Sequence, residues 1–524
     1  MPGVSWIGPV GSRGGYGNVA RNYVRGLVEA GVPVSVHSTS PLDPDIGERD
    51  AQLLSGLPQG IIPDADIAVV HSHPGDFATL VPTVRNSSPA PVAVCTIGET
   101  DRIPTDWAAG CNLADEIWLP TSFNLLTFGR SGVDVSKMRL VPYGMDPEGL
   151  EPEGLVDDSV APEDHFVFLY TFAFDWRKGF DLLLDAYMSE FTRDDKVTLV
   201  IKVYDADRDP VSVRSRIIAS IADRVDLFSQ ELPRVVLLDQ PLERYALLAL
   251  YRRANLYIST DRANGWGMPC MEVMTMGGAA ATIDWSGSTE FMHRDNALLI
   301  PAQPLLEPVD ARLSALRPMY VGQAWAVIDI ADVRVALRAA FSGDVDLKAL
   351  GAAAREEILD RWTVRTSADW ILGRDSGAYT PVAGLIDRLR PLVGLQETLP
   401  LHDARANVLV LAVTGEWTAG LHAFSEAFGP DDDVTLALWA DPAMPPTDAH
   451  QRILGAFAHL ELDEAKMGDM LLIAADPEEA LVDDRVRGIV APADWWPLTQ
   501  PVAPDPAALR AAVERRTVVA LRTP

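Results

Sequence analysis

The stretch that decides the fold runs from Gly265 to Glu290 and reads GWGMPCMEVMTMGGAAATIDWSGSTE. It predicts a glycine turn, a helix opened by Pro269, a buried strand and a second glycine turn. Proline suits the first helical turn, because the amide hydrogen that it lacks would have no partner there. The free N–H groups of a helix start favour an anion, and further amides follow at residues 286–289. The stretch therefore predicts a nucleotide-diphosphate site in which Glu272 accepts from a ribose; the plainer alternative is that Glu272 complements the helix dipole.

Short apolar strands alternate with helical patterns before and within this region. The predicted strands are Val4–Val10, Val34–His37, Ile67–His71, Val92–Ile97, Glu116–Leu119 and Leu140–Pro142 in a first block, and Phe166–Tyr170, Val197–Val203, Val235–Leu238, Leu256–Ser259 and Ala279–Ile283 in a second. The alternation predicts two parallel sheets of βαβ units joined by a polar linker at 146–164. Helices from Val333 to Ile371 are expected to cross back toward the first block. Because ligands bind at the carboxyl ends of parallel strands, the cleft between the blocks is the expected site.

The core Gly265-Trp266-Gly267-Met268-Pro269 followed by Glu272 resembles the donor-binding segment of family 4 retaining glycosyltransferases. In that family two glutamates eight positions apart span a Gly-Phe/Trp-Gly-x-Pro core, and here Asn264 replaces the first. The resemblance extends over about residues 1 to 370 and implies an α/β fold of the GT-B type, with two Rossmann-like domains facing a cleft. It also implies a nucleotide-diphosphate sugar, UDP- or GDP-linked, as donor and a sugar, glycan or small molecule as acceptor.

Several positions match the donor-binding pattern of the family. The resemblance implies a donor site formed by Gly14, Gly15, Arg177, Asn264, Gly265, Trp266, Gly267, Met268, Glu272, Ser288 and Thr289. Lys178 follows a predicted strand and matches the family lysine. That lysine places a positive charge where the leaving diphosphate develops negative charge. The family's upstream arginine is absent, and Arg177 is expected to replace it. The plainer alternatives are a solvated Arg-Lys turn and, at Gly14 and Gly15, an ordinary tight turn.

Two further groups lie at strand ends of the first block. His71 and His73 share a face, but no carboxylate or cysteine is nearby, so metal ligation is disfavoured. The resemblance implies that His73 contacts the donor sugar near the reacting carbon, the alternative being a histidine satisfied by the backbone. Glu99 and Asp101 lie in a Glu-Thr-x-x-x-Pro…Trp pattern similar to a subgroup of these transferases, and are expected on the acceptor side.

The reaction implied by the resemblance is retention through front-face attack, in which the departing phosphate assists. No essential metal is expected, because Asp205-Ala206-Asp207 lies in a polar loop typical of a solvated turn.

Bulk composition excludes several classes of function. The 524 residues carry 44 basic and 74 acidic side chains, a net charge of −30 that disfavours nucleic acid and anionic membranes. Three scattered cysteines indicate neither a disulfide framework nor a zinc site. Neither a signal peptide nor an apolar run of roughly 20 residues is found, so a cytoplasmic protein without membrane insertion is expected.

The predicted domains are 1–150 on the acceptor side, 160–372 on the donor side and 378–524. The third contains a partial repeat of the second, with a strand that begins Val-Thr-Leu at Val434 as at Val197. It is interpreted as a degenerate Rossmann-like domain with a structural role, a role in binding a protein partner or a role in self-association. Two alternatives to a transferase stay open: a non-catalytic glycosyltransferase-like subunit that scaffolds or binds a partner, and a GT-B sugar-nucleotide epimerase.

Overall fold

The computed structural model describes residues 3–62, 65–204, 210–225, 232–303 and 306–373, together with Phe424 and five later strands. The chain divides into two compact units, Met1–Val393 and Gly394–Pro524. The predicted Asp205–Asp207 turn lies outside the described residues, as do the connections between the strands of the predicted third domain.

The first block forms one sheet of six parallel strands in the order β2-β1-β3-β4-β5-β6. The strands are β1 (Val4–Gly8), β2 (Val34–Ser38), β3 (Ile67–His71), β4 (Val92–Cys95), β5 (Glu116–Leu119) and β6 (Met138–Leu140). The helices are α1 (Gly15–Glu29), α2 (Glu48–Ser55), α3 (Phe77–Ser87), α4 (Thr105–Cys111) and α5 (Ser122–Arg130). Strands β1 and β4 are buried along their whole length, as expected of a parallel sheet covered on both faces. All six predicted strands are confirmed, two of them with the predicted ends and four with ends shifted by one or two residues.

The second block forms another six-stranded parallel sheet in the order β12-β11-β10-β7-β8-β9. The strands are β7 (Phe166–Ala173), β8 (Val197–Tyr204), β9 (Arg234–Leu238), β10 (Leu256–Ser259), β11 (Ala280–Ile283) and β12 (Leu298–Ile300). The helices among them are α6 (Phe180–Glu190), α7 (Pro210–Val225), α8 (Arg244–Arg253) and α9 (Met268–Thr275). The five predicted strands are confirmed. The sixth strand, β12, was not predicted, because three residues are too few to show a period.

A small antiparallel pair follows the second sheet and was also not predicted. Strand β13 (Leu306–Pro308) pairs with β14 (Ala324–Ala326), and helix α10 (Ala311–Leu316) lies between them. We refer to these elements together as the 306–326 segment. It lies in sequence between β12 and the closing helices and contacts both sheets through the loops that follow their strands.

Three helices close this unit: α11 (Ile330–Ser342), α12 (Leu347–Arg361) and α13 (Val364–Ile371). Helix α13 packs against α1, where a Cβ added at Gly26 would lie 2.0 Å from the Val364 carbonyl oxygen. At the junction between the sheets, the Met145 amide donates to the Trp362 carbonyl over 2.7 Å. The predicted return of the chain to the first block is therefore confirmed.

The later unit contains a sheet of five parallel strands in the order β17-β16-β15-β18-β19. The strands are β15 (Asn407–Ala412), β16 (Val434–Trp439), β17 (Asp469–Ile473), β18 (Val486–Ala491) and β19 (Val519–Arg522). Strand β16 begins with the Val-Thr-Leu of the predicted repeat, as β8 does. The described helices include none that is both long and apolar enough to cross a membrane.

Candidate active site

The carboxyl ends of the two large sheets meet at an ion pair. Glu99 follows β4 of the first sheet, and its Oε1 lies 3.0 Å from Nη2 of Arg177, which follows β7 of the second. The Tyr320 hydroxyl donates to the other carboxylate oxygen, Oε2, over 2.9 Å. Burial by itself would raise the pKa of Glu99, but Arg177, Tyr320 and Lys178 together hold that pKa below its usual value. An ionised carboxylate of the first sheet therefore faces cationic groups of the second.

Lys178 is held in place by an aspartate that sequence reasoning missed. Its Nζ lies 2.7 Å from Oδ2 of Asp261, which is buried just beyond β10. The Tyr170 hydroxyl donates to Oδ1 of the same carboxylate. Gly179 then turns the chain at φ +57°, and a Cβ there would lie 2.1 Å from the Thr260 carbonyl oxygen. Glycine is needed at this turn, which brings the ammonium to the strand ends.

The two histidines of the first sheet have different surroundings. His71 ends β3, is fully buried, and has a pKa lowered by that burial to about 3. His73 begins the short 3₁₀ turn at Pro74–Asp76 and lies edge-on to Trp107, with ring centroids 4.3 Å apart. Burial lowers the pKa of His73, and Glu99 opposes that shift. Of the two, His73 is the one that is not fully buried, and its contact with a donor sugar stays a prediction.

The part of the chain that the structure describes contains no group of three or more His, Cys, Asp or Glu side chains arranged to hold a metal ion.

Helix α9 begins at Met268 after Gly267, whose φ of +103° requires glycine. Glu272 lies inside this helix, with its side chain 8% exposed. Oε1 lies 2.8 Å from Nη1 of Arg244, and Oε2 accepts the Tyr251 hydroxyl over 3.0 Å. Both oxygens of the predicted ribose ligand thus already have a partner on α8. A carboxylate has about four acceptor sites, so two remain for sugar hydroxyls.

Asn264 takes part in the local turn through both its side chain and its backbone. Its Oδ1 accepts the Trp266 amide over 3.2 Å, and its carbonyl accepts the Gly287 amide over 2.7 Å. Gly265 packs against the first sheet, where an added Cβ would lie 2.5 Å from Ile97 Cδ1. The turn needs glycine there because the two sheets approach each other closely at this point.

Trp266 is a residue of the hydrophobic core. Its side chain is buried, and its ring lies 5.2 Å from Tyr143 and 5.1 Å from Phe291, centroid to centroid. Its Nε1 donates to the Met271 sulfur over 3.2 Å. The Trp266 ring therefore supports the turn from within the core, and the place of Trp266 in a donor site stays a prediction.

The second glycine turn offers fewer amides than expected. The Gly287 amide is bound to Asn264, and the Thr289 amide donates to the Ser286 carbonyl over 3.2 Å. The Ser288 hydroxyl is buried and lies 3.1 Å from that of Thr282. Ser286 has a φ of +71°, and no other non-glycine residue in the described ranges has a positive φ. Such strain is concentrated at functional sites. Because the amides of Gly287 and Thr289 are already bound, those of Ser286 and Ser288 are the candidate anion donors.

The remaining predicted residues lie on the side of the first sheet. Gly14 precedes α1 and, like Gly15, is exposed; a Cβ added at Gly15 would meet no atom within 4 Å. Asp101 is buried, and its Oδ1 accepts the Ala324 amide over 2.7 Å. Its carboxylate joins the two blocks. These partners indicate a structural role for Asp101, and its predicted contact with an acceptor stays a prediction.

No sequence model of a known protein family matches the chain, and no curated protein sequence matches it. Solved structures do share its architecture. HepE from Anabaena, in complex with UDP and glucose, superposes with a TM-score of 0.52 at 12% identity, over 71% of this chain and 99% of its own. Sucrose-phosphate synthase from Thermosynechococcus elongatus does so with 0.52 at 16%, over 71% and 98%. A UDP-forming α,α-trehalose-phosphate synthase from Burkholderia xenovorans gives 0.51 at 13%, over 72% and 100%.

The chain has the GT-B fold. The predicted fold class, two parallel sheets with helices, is confirmed by the sheet order and by these likenesses. Sequence reasoning missed Asp261, Arg244, Tyr251 and Tyr320. Only Asp261 had a usable signal, since an acidic residue directly after a predicted strand points to the same edge as Lys178.

Proposed function

We propose that the protein is a retaining glycosyltransferase of the family 4 type, which moves a sugar from a nucleotide-diphosphate sugar to a sugar, glycan or small-molecule acceptor. The observation that carries this proposal is the pairing across the cleft. Arg177 and Lys178 of the second sheet face Glu99 of the first, and His73 lies near the same carboxylate. Cations on one side and hydrogen-bonding groups on the other suit an anionic leaving group and a hydroxyl nucleophile.

The chemistry assigned to these residues is charge stabilisation. The bond between the anomeric carbon and the diphosphate breaks, and the diphosphate departs with the electron pair toward Lys178, Arg177 and the amides of Ser286 and Ser288. The acceptor oxygen forms the new bond on the same face and passes its proton to the departing phosphate. Lys178 is already oriented by Asp261 over 2.7 Å, so little reorganisation is needed when the charge develops.

The remaining assignments concern recognition of the donor. Glu272 would accept from the ribose with the lone pairs that Arg244 and Tyr251 leave free, and His73 would orient the donor sugar. UDP-sugars are the first donors to test, because HepE, which shares the fold, is described with UDP and glucose. We expect turnover without a divalent metal, so addition of EDTA should leave the rate unchanged.

A second candidate function is a non-catalytic subunit that scaffolds or binds a partner. The observations that favour it lie in the donor segment: the Asn264 side chain is turned into its own loop, and Glu272 is bound on both oxygens. In this alternative the second sheet keeps its structure and binds no donor. The location in the cytoplasm, and contact with a protein partner or self-association through the later unit, stay predictions under both candidates.

The deciding experiment measures turnover and binding of a panel of UDP-, GDP- and dTDP-sugars by the purified full chain. A transferase releases nucleoside diphosphate slowly with water and faster with an acceptor, and it binds the matching nucleotide in calorimetry. A scaffold shows neither turnover nor binding. An epimerase would convert the donor sugar without releasing nucleoside diphosphate, and that outcome would also contradict the proposal.

A further inference from the structure

The hydroxyl of Tyr320 reaches the carboxylate of the first sheet from an element outside both large sheets. Tyr320 lies in the 306–326 segment, is 3% exposed, and donates to Oε2 of Glu99 over 2.9 Å. Because Arg177 binds Oε1, the two oxygens of Glu99 are held by different parts of the second block. The carboxylate is thereby fixed in both position and rotation.

The two residues after Glu99 are bound by the same segment. The Thr100 hydroxyl donates to the side-chain oxygen of Gln323. Asp101 accepts the Ala324 amide on its carboxylate over 2.7 Å, and its own amide donates to the Ala324 carbonyl over 3.1 Å. Three consecutive residues of the first block are thus paired with one short stretch of the 306–326 segment.

The segment is itself fastened to the turn that carries the cations. The Ala326 amide donates to the Arg262 carbonyl over 3.1 Å, and the Arg262 guanidinium lies over the Trp325 ring at 5.5 Å. The Arg262 amide donates to the Arg177 carbonyl over 2.8 Å. Tyr320, Arg177 and Lys178 therefore belong to one connected structure, and Glu99 is positioned against all of it.

We propose that Tyr320 is a positioning residue, which holds Glu99 so that its remaining lone pairs accept a hydrogen bond from a hydroxyl of the acceptor other than the one that reacts in the transferase reaction. This rests on the proposed function. The Glu99 side chain is 30% exposed, and two of its roughly four acceptor sites are used by Tyr320 and Arg177. The remaining sites belong to a residue of the first block, the side on which the acceptor is expected.

A purely structural role of Tyr320 and a positioning role predict different effects of removing its hydroxyl. If Tyr320 only filled space between the blocks, phenylalanine would serve equally, since it differs by one buried hydroxyl. A positioning role depends on that hydroxyl, because it donates to a charged acceptor and so favours the ionised form of Glu99. The pH dependence of the reaction therefore separates the two roles.

The test compares Tyr320→Phe with the wild-type full chain, using UDP-glucose first and then whichever nucleotide sugar the donor panel identifies. We expect kcat to fall by roughly 10-fold, as for loss of one hydrogen bond to a charged group, with an unchanged KM for the donor. The acid limb of the kcat profile should move to higher pH, since Glu99 loses a donor that lowers its pKa. Glu99→Gln should abolish that limb, which assigns it to Glu99.

Tyr245→Phe is the matched control, because Tyr245 lies on α8 with 66% exposure and should change neither quantity. An acid limb that stays in place in Tyr320→Phe, or that persists in Glu99→Gln, would overturn the inference while leaving a transferase intact. Absence of turnover in the wild-type protein would instead overturn the proposed function itself.

Discussion

At the scale of single residues, the site consists of charged groups that already have partners in the protein. Lys178 is bound to Asp261, Arg177 to Glu99, and Glu272 to Arg244. Each pair restricts a side chain that would otherwise sample many rotamers, so the entropy of ordering is lost on folding and not when a ligand binds. The same pairs imply that removal of one member changes the electrostatics of the cleft more than its packing.

Loss of the lysine or of the helix glutamate should reduce catalysis without unfolding the protein. Lys178→Ala and Glu272→Ala are each expected to lower turnover by on the order of 10²-fold, similar to the loss of one preorganised charge-stabilising group. Steady-state kinetics with the donor that the panel identifies provides the measurement. Lys196→Ala is the control, because Lys196 is 67% exposed in a surface ion pair with Asp164. Wild-type rates in the first two variants would refute the site.

At the scale of elements, the two glycine turns of residues 265–290 pack against each other. A Cβ added at Gly287 would lie 1.7 Å from the Gly265 carbonyl oxygen, and the Gly287 amide binds the Asn264 carbonyl. The turn before α9 and the turn after β11 are therefore one packed unit. The positive φ of Ser286 is maintained by this contact and by the bond from the Asn264 amide to its hydroxyl, 3.0 Å long.

Substitution of Gly287 should destabilise the protein because backbone cannot move aside as a side chain can. Gly287→Ala is expected to lower the free energy of unfolding by about 2–3 kcal/mol, which is typical of overpacking in a rigid core. Denaturant unfolding followed by circular dichroism gives the value. Gly56→Ala is the control, since Gly56 has φ −80° and its nearest contact would be 3.4 Å. Equal stability of the two variants would show that the turns can separate.

At the scale of the whole molecule, the first block and the second are joined by polar contacts at the carboxyl ends of their strands and by α13. Glu290 of the second block binds the first turn of α5, accepting the Ser122 amide over 2.7 Å. Together with the pairing of residues 99–101, this holds the strand ends of the two sheets against each other. A buried ionisable group near these strand ends, such as His71, is therefore expected to affect the free energy of unfolding of the whole unit.

Buried His71 should make the folded state sensitive to acid. Its folded pKa of about 3 lies below the ordinary value of 6.5, so the unfolded chain binds the extra proton between those values. The contribution of His71 to the free energy of unfolding is therefore fully present above pH 6.5 and is lost as the pH falls toward 3. His71→Phe should reduce the difference in unfolding free energy between pH 7 and pH 4 by up to about 3 kcal/mol.

The measurement is chemical denaturation of both proteins at the two pH values, which cancels any constant effect of repacking. His37→Phe, at an exposed position on β2, should leave the difference as it is in the wild type. An unchanged difference in His71→Phe would mean that His71 is not the group that titrates.

Much of the fold was predictable because its signals are local. Buried strands appear as short apolar runs, helices begin at proline or after glycine, and turns contain glycine at positive φ, as at Gly179 and Gly267. The segment from Gly265 to Glu290 contained all of these within 26 residues. Short or irregular elements such as β12 and the 306–326 segment escaped prediction, since no period is visible over three residues.

The sequence by itself determined the two parallel sheets, the order of their strands along the chain and the edge at which Lys178, His73 and Glu99 would lie. Only the tertiary structure decided which side chains meet: that Asp261 binds Lys178, that Trp266 belongs to the core, and that Tyr320 binds Glu99. The physical reason is distance along the chain. Glu99 and Tyr320 are 221 positions apart, and no local periodicity or turn preference links residues so far separated until packing brings them together.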